Sequence, residues 1–389
     1  WIVWHTGGPV LPRIKSGELR GSPFLRRGGF GARTCAGTMA NRRGRNLTVD
    51  LPPPSMQRDP SFIVNEDAVG GRQYTLRHVN SYGDTSLITI GHEGRLGFRF
   101  SDFQLGRELG RGEGGAVTIA KHTPTNRLFA LKEISIAGQA ERHQLAMELK
   151  THWECGEMSN IVQLFDTFYE EGRVYLVLEY MDWGSLEFLL QLHANTNPPS
   201  RIDEGVLAVV IRGITSALCF LHEDHSLIHR DLKPANVVLG TKGTVKLSDF
   251  GTSRMLDSKA MGQTFVGTAS YMSPERLQGL RYSHKADIWS LGIIAMELAL
   301  GRHPFLRAEG ETVFFEMMQQ VVNEPIPFPA ESGMSEKLVD FIQCCLHKDE
   351  AQRWSAKDLM GHAFLAAHAQ RTEAYVAMWL QQPQIAQLW

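Results

Sequence analysis

The chain has 389 residues, 43% hydrophobic and 21% charged, which is enough apolar content for a sizeable core and excludes wholesale disorder. Its formal charge of −2 averages two unlike regions: residues 1–50 carry nine Lys/Arg against Glu18 and Asp50, a net of +7, and the remainder carries −9. An acidic body excludes a polyanion-binding surface over its whole extent, and no uninterrupted apolar run approaches the roughly eighteen residues of a membrane span; the most apolar run, 291–300, is broken by Glu297.

Five cysteines, Cys35, Cys155, Cys219, Cys344 and Cys345, form no CxxC pair. A sparse, odd set predicts a reduced compartment, cytoplasmic or nuclear. No secretory signal is visible, and a chain that begins at Trp1 leaves its true N-terminus open.

In chain order, residues 1–60 are Gly/Arg-rich without helix or strand period and read as a flexible arm. Residues 61–99 form an N-terminal extension, with short strands expected at 75–79 and 86–90. From Phe100 onward, apolar and β-branched runs at 103–109, 116–122 and 127–134 are separated by turn signals and predict an antiparallel meander. A helix follows at about 139–154, then strands at 161–168 and 174–180. Beyond 181–185 the chain turns helical, with a buried helix at 205–222, short strands at 237–239 and 244–249, and an apolar helix at 287–301 capped by Asp287 and stopped by Gly301. The expected fold class is α+β, in two lobes: a β-rich lobe over 100–181 and a larger helical lobe over 182–367, with 368–389 as a tail.

Five motifs carry chemistry. GRGEGGAV places Gly110, Gly112, Gly114 and Gly115 before Val117, between two predicted strands. Glycines let a backbone approach phosphate closely, and a following strand argues against a dinucleotide fold, in which the motif opens a helix. Lys132 follows Gly115 by seventeen residues and shares a strand face with Ala130. Glu148 sits on or beside the apolar stripe of the next helix and needs a partner, for which Lys132 is the obvious choice; Glu141 is the competing acid. HRDLKPANVVL (229–239) sets Asp231, Lys233 and Asn236 on one short loop. There a carboxylate can accept a hydroxyl proton, an ammonium can meet a transferring phosphate, and an amide oxygen can ligate Mg²⁺. Asp249 of DFG, thirteen residues after Asn236, offers a second hard oxygen ligand. SPE (273–275), Asp287 and Arg353 follow.

In this order the motifs resemble the signature of a protein kinase over residues 100–367. FVGTASYMSPERLQG (265–279) resembles the corresponding segment of MAP kinase kinases. Gly114 in place of an aromatic residue, Ser273 in place of the Ala of APE, and a hinge LEYMDWGSLE (178–187) similar to the family's MxGGSL, with Trp183 for its first glycine, agree with that subfamily. The resemblance implies a dual-specificity kinase that uses ATP and Mg²⁺ to phosphorylate the Thr-x-Tyr motif of a downstream MAP kinase. An upstream MAP kinase kinase kinase would activate it. Another Ser/Thr kinase family, or a kinase-fold scaffold, are the alternatives.

By the same resemblance, Lys132 holds the α- and β-phosphates of ATP and pairs with Glu148. Asp231 is the catalytic base, Lys233 contacts the γ-phosphate, and Asn236 and Asp249 bind Mg²⁺. Glu179 and Met181 offer hinge backbone groups to adenine, Leu178 is the gatekeeper, and Val117, Ala130 and Val238 sandwich the ring. Ser258 and Thr264 have the x5 phosphosite spacing of plant-type members; at x3 spacing the first position is Ala260. In the arm, Arg42, Arg43 and Arg45 precede alternating Leu47, Val49 and Leu51, similar to the family's MAP kinase docking motif; the alternative is a solvated basic tail. The tail after 367 is either a contact for the upstream kinase or a helix that caps the lobe. No nucleic acid and no membrane are expected as partners.

Overall fold

The computed structural model describes residues 62–66, 72–79, 85–90, 96–112, 115–135, 145, 148–149, 151–152, 155, 158–194, 202–249, 269–306, 314–328, 333–382 and 385. The arm, Gly114 and the stretch 250–268 with Ser258 and Thr264 lie outside them.

Strands β1 (Phe62–Glu66), β2 (Arg72–Val79) and β3 (Thr85–Ile90) form an antiparallel sheet in that order. The sequence pattern had indicated parts of β2 and β3 but not β1, whose five residues are too few for a clear alternation. Strands β4 (Phe103–Gly112), β5 (Gly115–His122), β6 (Arg127–Ser135), β7 (Leu164–Glu170) and β8 (Arg173–Glu179) form an antiparallel sheet in the order β4-β5-β6-β8-β7.

Period-two alternation decides what each face of that sheet does. On β6, Phe129 and Leu131 pack into an aromatic layer with Phe103, Phe168 and Val177. The alternate positions Ala130 and Ile134 join Leu109, Val117, Leu176 and Leu178 on the other face, together with Leu145 and Leu149 of the helix that carries Glu148. Lys132 shares that second face. Residues 161–163 were expected to begin a strand; instead Ile161 makes a parallel bridge to Leu247 and β7 starts at Leu164, with an irregular register between Leu164 and Asp166.

The second lobe is built on helices. The principal ones are α1 (Leu186–Ala194), α2 (Glu204–Cys219), α3 (Pro274–Leu277), α4 (Lys285–Leu300), α5 (Phe314–Asn323) and α6 (Glu336–Cys345). Asp203 caps α2 by accepting the backbone N–H groups of Gly205 and Val206. The helical stretch Glu204–Asp224 is long and apolar enough to cross a membrane by composition, but most of it is buried inside the fold. Helix α4 is buried from Ala286 to Ala299, as a helix apolar on all sides must be. It ends at Gly301, whose φ of 70° is the left-handed conformation glycine adopts without a Cβ clash.

Asp287 does not cap α4: the helix begins at Lys285, with His284 at the N-cap. The Asp287 carboxylate is turned instead onto the 229–231 loop.

Three short strands, β9 (Gly184–Ser185), β10 (Val237–Leu239) and β11 (Val245–Leu247), pair in the order β11-β10-β9. They carry the 229–236 loop on one side and Asp249 on the other. Among the described residues, Cys155, Cys219, Cys344 and Cys345 form no disulfide.

Candidate active site

The sheet of the first lobe supplies the roof of a cleft. Gly110 pairs with Val117, and Gly112 with Gly115, across the β4–β5 hairpin. Gly115 has φ 120°, and a Cβ there would lie 1.7 Å from the carbonyl oxygen of Glu133, so no other residue fits. Val117, Ala130, Leu178 and Met181 are buried in one cluster with Val238. Val238 comes from β10 of the second lobe, so this apolar cluster joins the two lobes. Glu179, at the end of β8, has its carboxylate engaged by Lys246 Nζ at 2.8 Å and by the Gln163 N–H at 3.2 Å.

Lys132 projects from β6 with its side chain only 5% exposed. Its Nζ lies 2.6 Å from Glu148 Oε1 and 2.6 Å from Asp249 Oδ1. Of the two acids weighed for Lys132, Glu148 is therefore the one shown to reach it; Glu141 lies outside the described residues. Burial by itself would lower the Lys132 pKa, but the charges of Asp249 and Glu148 outweigh it and hold the ammonium above the ordinary lysine value. Two carboxylates share one cation, and they divide unequally. Burial also acts on Asp249, but Lys132, Lys233 and His229 together keep it below the usual carboxylate range. Burial pushes Glu148 up, against the pull of Lys132 and with the repulsion of Asp249. Asp249 has φ 59°, a left-handed conformation rare for a residue with a side chain.

The second lobe supplies the floor. Asp231 Oδ2 lies 2.9 Å from Lys233 Nζ and 3.0 Å from Asn236 Nδ2, which also donates to the Asp231 carbonyl at 2.7 Å. Both amide protons of Asn236 thus point back into the loop, and its Oδ1 is the atom left to act as an acceptor or ligand. His229 Nε2 faces the Ser248 carbonyl at 3.1 Å, and its Nδ1 accepts the Asp231 N–H at 3.4 Å. These partners assign the proton to Nε2. One imidazole therefore ties the loop bearing Asp231 to the residue before Asp249.

Asp287, missed as a site residue by the sequence reading, organises this loop from below. Its Oδ2 accepts from the His229 N–H at 2.8 Å and faces His222 Nε2 at 2.9 Å, and its Oδ1 accepts from the Arg230 N–H at 2.9 Å. Arg230 needs this support, because its φ is 69°. Burial would raise the Asp287 pKa, but these donors hold it below the ordinary value. A similar anchor fixes α3: Glu275 receives two hydrogen bonds from the buried Arg353, at 2.8 and 3.1 Å.

Glu297 of α4 is buried and accepts from the Tyr271 hydroxyl at 2.6 Å, which ties the 269–272 turn to the core. Burial pushes its carboxyl up from 4.5 to about 7, with the Tyr271 hydrogen bond opposing. A carboxyl raised on folding keeps its proton in the folded chain where the unfolded chain has lost it. Folded-state stability from this group is therefore present at low pH and lost as pH rises from 4.5 through about 7. Glu297→Gln is expected to match the wild type near pH 5 and to exceed it by on the order of 2–3 kcal/mol near pH 8. Thermal unfolding of both proteins across this range checks it; a constant difference contradicts it.

A separate cluster, Asp340, Cys344 and His362, has the residue types of a metal site. His362 Nδ1 accepts the Phe364 N–H at 3.1 Å, which leaves the proton on Nε2, 3.1 Å from Asp340 Oδ2. Neither nitrogen has a lone pair to give an ion, so this is a hydrogen-bonded helix junction.

The protein kinase domain family matches residues 103–365. Mitogen-activated protein kinase kinase 2 of Arabidopsis thaliana is 40% identical over 271 residues, covering 68% of this chain and 72% of the relative. Mitogen-activated protein kinase kinase 1c of Physcomitrium patens is 40% identical over 339 residues, covering 83% and 94%. The dual specificity mitogen-activated protein kinase kinase dSOR1 of Drosophila melanogaster is 35% identical over 297 residues, covering 70% and 72%. A protein kinase domain in general works with ATP and Mg²⁺. A cleft that gathers a buried Lys–Glu–Asp set and an Asp–Lys–Asn loop, within a chain so similar to these proteins, belongs to a protein kinase, and the chain is a member of the dual-specificity MAP kinase kinases.

Proposed function

We propose that this cleft transfers the γ-phosphate of ATP to the Thr and Tyr hydroxyls of a Thr-x-Tyr segment in a downstream MAP kinase. The observation that carries the reading is the convergence of Lys132, Asp249, Asp231, Lys233 and Asn236 from both lobes on one cleft. Phosphoryl transfer needs charge neutralisation and positioning above all.

Each residue then has a task. Lys132, held by Glu148, meets the α- and β-phosphates, and Gly110, Gly112, Gly114 and Gly115 let backbone N–H groups approach them. The Glu179 and Met181 backbones meet adenine, and Val117, Ala130 and Val238 enclose it. Asp231 accepts the proton of the substrate hydroxyl as its oxygen bonds to the γ-phosphorus. The bond to the β-phosphate oxygen breaks, and ADP leaves with that electron pair. Lys233 neutralises the γ-phosphoryl oxygens. The Oδ1 of Asn236, not used by the loop's own hydrogen bonds, and the carboxylate of Asp249 fit a hard cation, and would hold Mg²⁺. That ion supplies charge neutralisation on the phosphate oxygens when bound.

Activation by an upstream MAP kinase kinase kinase at Ser258 and Thr264 belongs to the same reading. Arg230 Nε is buried with no hydrogen-bond partner among the described residues, and a phosphate would provide one. The basic arm, from Arg42, Arg43 and Arg45 to Leu47, Val49 and Leu51, docks on an acidic, grooved face of the substrate.

The test is radiolabel transfer from ATP to a kinase-dead MAP kinase, with the phosphorylated positions identified by mass spectrometry. Label on both Thr and Tyr is expected from the wild type, and more from Ser258→Asp/Thr264→Asp. Absence of label from both forms overturns the substrate assignment. In the same assay, Arg42→Ala/Arg43→Ala/Leu47→Ala is expected to raise KM for the MAP kinase; an unchanged KM removes the docking role.

A further inference from the structure

Arg276 lies in α3, directly after Glu275, whose pairing with Arg353 fixes that segment. The Arg276 guanidinium crosses to the 229–231 loop, and its Nη1 donates to the carbonyl oxygen of Arg230. That carbonyl belongs to the peptide joining Arg230 to Asp231. The guanidinium carbon sits 5.3 Å from the ring centroid of Tyr282, a contact that restrains the rotamer. On the other side of Arg230, its N–H is held by Asp287 at 2.9 Å.

Arg230 is therefore gripped at both ends while its φ sits at 69°. A non-glycine residue in this region relaxes unless its surroundings over-determine it. Asp287 fixes one peptide plane. The next plane, which sets the direction in which Asp231 leaves the loop, is held on its carbonyl side by the Arg276 hydrogen bond and on its N–H side only by the long 3.4 Å contact to His229 Nδ1. The bond is made to the backbone of the loop, one peptide before Asp231, so it reaches the reaction through the placement of that residue.

We propose that Arg276 is a positioning residue for phosphoryl transfer, clamping the Arg230–Asp231 peptide and so tying the Asp231 carboxylate to α3. The proposal rests on Asp231 being the base. It gives the arginine of the 273–276 segment a task distinct from that of Glu275: Glu275 fastens α3 to the core, and Arg276 passes the position of α3 to the catalytic loop.

The test uses the full chain and steady-state kinetics with ATP and a kinase-dead MAP kinase. Arg276→Met is expected to lower kcat about tenfold, with both KM values and Tm close to wild type. Arg276→Lys, which still offers a donor to the carbonyl, is expected to recover kcat to within about threefold of wild type. Arg281→Met, the loss of a neighbouring exposed charge, is expected to leave kcat unchanged. If Arg276→Met does not fold, Tyr282→Leu decides: it frees the guanidinium without touching α3, and should lower kcat about two- to threefold. An unchanged kcat in whichever variant decides, a main effect on either KM, or a kcat loss that lysine does not recover overturns the proposal. Asp231→Asn separates the two readings. If it retains activity, the base assignment fails and the clamp with it; if it is inactive while Arg276→Met is normal, only the clamp fails.

Discussion

Asp231→Asn is expected to lower kcat for transfer to the MAP kinase by about 10²–10⁴-fold, with KM for ATP little changed. Asparagine keeps the size of the side chain, and its oxygen can still accept from Lys233 and Asn236, which lie 2.9 and 3.0 Å from the carboxylate. What disappears is the charge that takes the hydroxyl proton. The Lys132–Glu148 and Lys132–Asp249 pairs, at 2.6 Å each, are made by other elements and stay in place. ATP binding and chemistry therefore separate in this variant. Single-turnover kinetics with saturating ATP measures the chemical step directly; a fall of less than about tenfold would remove Asp231 from the role of base.

Asp287→Ala is expected to have the largest effect on the folded state. The side chain is 1% exposed and has partners on both oxygens: two backbone N–H groups and the His222 ring. Its removal strands those donors in the interior and releases Arg230 from its grip. Loss of one partner from a buried charged network costs about 3–5 kcal/mol. For a domain of this size, that is a fall in Tm of roughly 10 °C. Activity should fall further than the folded fraction does, because the 229–231 loop loses its register even in molecules that stay folded. Calorimetry and kcat measured on the same preparation test both halves, and a Tm within about 2 °C of the wild type would contradict the assignment.

Much of the first lobe was legible from alternation alone. On β6, the sequence RLFALKEIS places Ala130 and Lys132 on one face and Phe129 and Leu131 on the other, and the sheet uses the faces as that pattern requires. The 110–117 turn was legible because Gly115 has no substitute at φ 120°. The ordered motifs pointed to phosphoryl transfer because each residue type has a chemistry that survives without coordinates. The start of β7 was misplaced, since the apolar residues Ile161 and Val162 look the same whether they enter a ladder or a single bridge to β11. Asp287 was misread for a related reason. An acid at the start of a helix is a good cap by local rules, and only the nearby 229–231 loop turns it to another use.

The sequence by itself determined the alternating faces of the β-lobe, the burial of α4 and the roster of reactive groups. These depend on short-range periodicity and on the intrinsic chemistry of each side chain. Only the tertiary structure decided which groups meet. Lys132 and Asp249 are 117 positions apart, Arg353 and Glu275 are 78 apart, and Arg276 reaches a carbonyl 46 positions earlier. Contacts of that kind are set by how sheets and helices stack. A hydrogen bond across such a distance leaves no period in the sequence, because its two halves are each satisfied by a polar residue in an otherwise ordinary place.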